Sequence, residues 1–152
     1  MKTLLIGAIM LFCMLMVNAQ NPYEITEQNM PYNKMATSFT ANIIGQNESN
    51  VYYQWQKFIE EHKGKTYLVS ANEGNVEFES VHVRLPMLGN KIVVLHTRFA
   101  PNYSENGVLL TLWIELPDGS YYSSKTDEDS AQKIKDWLLK YDQQLTSIEF
   151  RY

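Results

Sequence analysis

Cysteine is almost absent. The 152-residue chain has one, Cys13, inside its apolar N-terminal stretch. Residues 20 to 152 contain none, which excludes disulfides and thiolate metal sites there. Long apolar runs are equally scarce. Thr3 to Val17 is the main one, and it is shorter than the roughly 20 residues a membrane-crossing helix needs. Positive charge is thin: setting Lys2 aside leaves 12 basic side chains against 17 acidic ones, a net charge near −5. No run of five or more basic residues occurs, so neither nucleic acid nor an anionic membrane surface is an expected partner. A G-x-S-x-G elbow, an H-x-H or H-E-x-x-H pattern and a phosphate-cradling glycine loop are all missing; Gly45 and Gly89 stand isolated.

What is present begins with a leader. "MKTLLIGAIMLFCMLMVNAQ" couples a basic Lys2 to the apolar run and ends in Val17-Asn18-Ala19, a pattern signal peptidase accepts. Phe12 before Cys13 and the apolar Met14–Val17 after it do not suit a lipidated cysteine. The expectation is a cleaved signal peptide over 1–19, no membrane span after cleavage, and a secreted or periplasmic protein held together by burial alone. Residues 20–35, polar and carrying Pro22 and Pro31, read as a flexible lead-in, with Tyr23, Ile25 and Tyr32 able to pack. Residues 36–152 read as one domain.

Periodicity then assigns the elements. Phe39, Ala41 and Ile43 alternate with polar residues, a first strand. Val51, Trp55, Phe58, Ile59 and His62 form one helical stripe, with Asn47 or Ser49 as cap and Gly64 suited to the left-handed position past its end. Strand signals follow from 65 to 124: "TYLVS", "VEFESVHV" with a phase change asking for a bulge near Glu79-Ser80, "KIVVLHTRF", and "VLLTLWIEL" turning at Asp118-Gly119 into "SYYSS". From Thr126 the residues Ala131, Ile134, Leu138, Tyr141, Leu145, Ile148 and Tyr152 recur at spacings of three and four behind an acidic first turn, one long C-terminal helix. "SIEFRY" also alternates as a strand would, and the unbroken stripe favours helix. The expected fold is α+β: a curved antiparallel sheet of five to six strands with two helices packed on one face. The element order resembles the β-α-β(4)-α arrangement of TATA-binding-protein-like folds and is similar to the helix-grip fold; neither likeness transfers a function. The patterns "FTANIIGQ…VYYQWQKFIEEHKGK" and "LLTLWIELPDGSYYSS" resemble a group of small exported proteins of Bacteroidota, which implies a location and no chemistry.

Function is sought on the sheet. If Val108, Leu110, Leu112, Ile114 and Leu116 face the helices, Trp113 faces away. His96 and Arg98 lie on that side of their own strand with Ile92 and Val94, and Tyr121 or Tyr122 reaches it across the hairpin. Such an aromatic and cationic face suits docking of a partner, since Trp, Tyr and Arg dominate contact energies. The competing expectation is that the N-terminal segment or a wrapped sheet covers Trp113. A second site is a cavity between sheet and helix, lined by Trp55, Phe58, Phe99 and Trp137, that takes a hydrophobic small molecule; equally, the four fill the core. A third reading, a hydrolase using His82 or His96 with Glu77 or Glu79, requires those groups to converge in a cleft. The serines Ser120, Ser123 and Ser124 sit at a hairpin and its exit, where hydroxyls are ordinary. The favoured expectation is a non-enzymatic envelope or secreted protein that binds another protein, without metal or cofactor. Leu145, Ile148 and Tyr152 would reach a second subunit if the C-terminal helix outruns the sheet.

Overall fold

The computed structural model describes residues 24–149; the segment expected to be a signal peptide and the end of "SIEFRY" lie outside them. Strands β1 (Thr26–Pro31) and β2 (Met35–Ile44) form a hairpin, followed by helix α1 (Glu48–Glu61). Strands β3 (Lys65–Asn72), β4 (Asn75–Leu85), β5 (Lys91–Asn102) and β6 (Gly107–Glu115) form a meander, and helix α2 (Glu128–Glu149) ends the described chain. The six strands make one antiparallel sheet in the order β1-β2-β6-β5-β4-β3, open at β1 and β3. The expected α+β architecture is therefore present, with both helices over one side of the sheet. Among the described residues no helix is long and apolar enough to cross a membrane.

The core follows from the strand period. Phe39, Ala41 and Ile43 of β2 stand opposite Leu112, Leu110 and Val108 of β6, and all six are buried. Val51, Trp55, Phe58 and Ile59 of α1 and Ile134, Leu138, Tyr141 and Leu145 of α2 close over them. Fully burying an aliphatic or phenylalanine side chain is worth about 1.5–3 kcal/mol, so this layer supplies the main stabilisation. The tyrosine Tyr141 ties the two helices together, its hydroxyl donating to Val51 O at 2.6 Å. Asn47 caps α1 through Asn50 N, and Asp127 caps α2 through Ser130 N.

Five local expectations need correction. The segment read as a flexible lead-in contains β1: its polar sequence shows no alternation, but pairing from Thr26↔Thr40 to Pro31↔Met35 satisfies its backbone. After α1 the left-handed residue is Lys63 (φ 65), not Gly64. The glycine is needed for space, since a Cβ there would lie 2.5 Å from Ile59 Cγ2 and 2.7 Å from Val83 Cγ2. The β4 bulge falls between Ser80 and Val83, with His82 at φ 60, two residues later than expected; it turns Phe78 and Ser80, then Val83 and Leu85, to the core. The turn after β6 is a three-residue loop, Pro117–Gly119, closed by Leu116 N donating to Ser120 O at 2.8 Å, and "SYYSS" contributes only the bridge Glu115↔Tyr121. Leu145 is fully buried and Ile148 half-buried, so through residue 148 the α2 stripe packs at home instead of waiting for a second subunit. Tyr152 lies outside the described residues.

Candidate functional site

The outer side of the sheet, away from the helices, collects the polar and aromatic side chains. Cross-strand register sets Trp113 of β6 opposite His96 of β5, and His96 opposite Glu79 of β4. The next row is Thr111, Arg98 and Glu77. Glu115 lies two residues along from Trp113, with Tyr121 across from it. The β1–β2 turn then folds over this area and brings Tyr32 down onto it.

The groups of the cluster engage one another, except His96 Nδ1, which is buried without a hydrogen-bond partner. The Tyr32 ring stacks on His96 at 4.5 Å between centroids and tilts against Trp113 at 5.3 Å. Trp113 Nε1 donates to Met30 O at 3.3 Å, and the Arg98 guanidinium lies 5.1 Å over the indole. Arg98 Nε donates to Glu77 Oε1 at 2.7 Å, and its Nη1 reaches Pro31 O at 3.4 Å. His96 Nε2 is 2.7 Å from Glu115 Oε2, whereas its Nδ1 stands 3.7 Å from Glu79 Oε2, too far for a hydrogen bond. Tyr121 donates to Asn33 Oδ1 at 3.2 Å, with Lys34 Nζ over its ring at 5.2 Å. Burial, then the nearby Glu77 and Glu79 carboxylates, push the Tyr32 phenol above its ordinary value. Burial and Glu115 do the same to Tyr121.

The sequence reading is right about which side these residues share and wrong about its accessibility. Trp113 is 0% exposed and His96 5%, so neither is open to a partner. The chain's own hairpin is the cover, which is the competing expectation above. Arg98 and Tyr121 are half-buried at the rim. Tyr122 belongs to the other side: it packs on Phe39 in the core and donates its hydroxyl to Asp127 O. Period-two alternation separates it from Tyr121, a choice the sequence left open.

The proposed cavity residues meet one another. Trp55 packs edge-on against Phe99 at 6.1 Å and Trp137 at 5.9 Å, and Phe58 against Trp137 at 4.9 Å. Trp137 Nε1 donates to His62 Nε2 at 2.9 Å, and His62 Nδ1 is 2.8 Å from Phe58 O, so this histidine stitches the two helices together. His82 sits exposed in the bulge, three residues along β4 from Glu79, the cross-strand neighbour of His96.

His96 does converge with carboxylates, as the third reading requires. Its close partner is Glu115, however, and the Tyr32 ring roofs the imidazole where a substrate would enter. The serines are engaged elsewhere: Ser120 Oγ donates to Asp118, Ser123 Oγ accepts from Lys125 N, and Ser124 N donates to Glu27. Glu115 was legible only as the neighbour of Trp113; its pairing with His96 depends on the β5–β6 register, which the loop at 103–106 fixes.

Beyond the hairpin's reach the outer side lies open. Tyr67 of β3 and Ile92 of β5 are each 46% exposed, with half-buried Val81 and Val94 between them. Lys65 Nζ lies 5.2 Å over the Tyr67 ring. No family model, curated protein or solved structure matches this chain.

Proposed function

We propose that this is an exported, non-enzymatic binding or accessory protein of the bacterial envelope, which contacts another protein through the uncovered half of its sheet. The observation that carries the reading is the outer side of β3–β5, where Tyr67 and Ile92 stay exposed around Val81 and Val94 among Lys65, Glu79 and Arg84. Apolar anchors within a charged rim are the composition of a protein contact surface. The contact moves from Trp113, which the β1–β2 hairpin occupies, to this neighbouring patch. The Glu77–Arg98 and His96–Glu115 pairs act as fasteners for that hairpin, which supports a structural role for the charged cluster over a catalytic one. The carrier reading loses support from the mutual packing of Trp55, Phe58, Phe99 and Trp137.

The test places a photo-crosslinking residue at Ile92, and separately at Tyr53 on the helix side, in protein exported by its host. Adducts are expected from position 92 and not from 53. Equal yields from both, or none from 92, would remove the patch from consideration. The mass of the same exported protein should correspond to a chain beginning at Gln20; a mass that retains residues 1–19 would refute the signal peptide.

A further inference from the structure

The two edges of the sheet are built differently. Strand β1, "TEQNMP", is polar and ends in Pro31, which has no N–H to offer a further strand. Strand β3, "KTYLVSAN", pairs with β4 along one side only and leaves its other side free. Three successive apolar residues are exposed on it: Tyr67 at 46%, Leu68 at 60% and Val69 at 52%. Between Lys65 and Glu73 it carries no charge and no proline; the bulge at Val69 is its one interruption. Leu68 is especially uneconomical as a solvent residue, because it faces the helix side opposite the buried Phe78 and is still uncovered.

We propose that β3 pairs antiparallel with β3 of a second copy of this chain, joining two sheets into one across a two-fold axis. Charge specifies the direction. Lys63 and Lys65 lie at one end of the strand and Glu73 at the other, all exposed. Antiparallel pairing sets each Glu73 between the two lysines of the second copy, whereas parallel pairing sets like charge on like. Side-chain direction specifies the register. A dyad between Leu68 and Val69 places Tyr67 against Ser70, both on the outer side, and Thr66 against Ala71, both on the helix side. The bulge at Val69 falls on that dyad and leaves regular ladder to either side. With β1 blunted, each copy has a single adhesive edge among its described residues, so association closes at two and does not run on into a fibre. Tyr67 and Lys65 border both this edge and the Ile92 patch, but the pairing runs along the β3 backbone and does not require the patch to be occupied.

Sedimentation equilibrium over a range of concentrations, on protein purified from an exporting host, tests it. A monomer–dimer equilibrium is expected. Leu68→Lys and Val69→Lys should each weaken it about tenfold or more with an unchanged melting temperature, since lysine on a free edge opposes pairing. Lys63→Glu with Lys65→Glu should also weaken the dimer, and adding Glu73→Lys to that pair should restore it. A monomer at every concentration, open-ended oligomers, or a dimer indifferent to both the lysine substitutions and the charge reversal would overturn the proposal.

Discussion

Trp113 sits where two kinds of cover meet. Its indole takes the Tyr32 ring on one side and the Arg98 guanidinium over its face, and its N–H is satisfied by Met30 O. A side chain of this size at 0% exposure is structural whatever its composition suggests about contacts. Trp113→Ala should therefore cost about 3–5 kcal/mol in urea denaturation, the range for deleting a buried aromatic. A loss below about 1 kcal/mol, within the range of ordinary surface substitutions, would mean the hairpin does not hold this indole in solution. Sequence supplied the direction of Trp113, because alternation along 108–116 leaves no choice. It did not supply the cover, because nothing in "QNMPYNK" indicates that the turn it forms folds back across two strands.

At the scale of elements, the close contact of β2 with β6 is the feature most sensitive to one atom. Gly107 opens β6 opposite Ile44, and a Cβ there would lie 2.0 Å from Ile43 O, a backbone atom with no freedom to move aside. Gly107→Ala should destabilise at the upper end of the roughly 1–3 kcal/mol typical of overpacking, or beyond it. Loss of amide protection should be centred on Asn42–Ile44 in hydrogen exchange. A substitution tolerated within a few tenths of a kcal/mol would refute so tight an approach. Helices α1 and α2 and strands β2, β5 and β6 were readable because each has one dominant period. β1 was not, since an edge strand of polar residues gains its order from its neighbour. The β4 bulge was signalled by its phase change, but its position is set by which residues meet β5.

Across the whole molecule, three tyrosines anchor the helices, Tyr52 and Tyr122 to the sheet and Tyr141 to each other. Burial, then Glu48, pushes the Tyr52 phenol up to about 12. Burial, then Asp127 and Glu27, pushes Tyr122 up to about 12. Burial drives Tyr141, bonded to Val51 O, higher still. Each stays protonated in the fold above pH 10, where the same phenol ionises in the unfolded chain. Their contribution is complete below about pH 10 and declines as pH rises toward 12. The urea midpoint should be level from neutral pH to about pH 9.5, then fall, with tyrosinate absorbance appearing late and together with unfolding. Tyr141→Phe should lower the midpoint at neutral pH and make the alkaline decline shallower. An early tyrosinate signal at full fold retention would refute the burial of these phenols.

Local residue order is enough to specify the helix stripes, the alternating core of β2 and β6 and the side of the sheet on which Trp113, His96 and Arg98 lie. These depend on local periods of 3.6 and two, which the chain carries wherever it goes. Long-range packing alone sets Tyr32 as the roof of His96 and Glu115 as its partner. It also turns Tyr122 inward and leaves Tyr67, Leu68 and Val69 at an open edge. Those outcomes depend on register, on the order of strands and on where a hairpin comes to rest. They are relations between residues distant in sequence, and no local pattern encodes them.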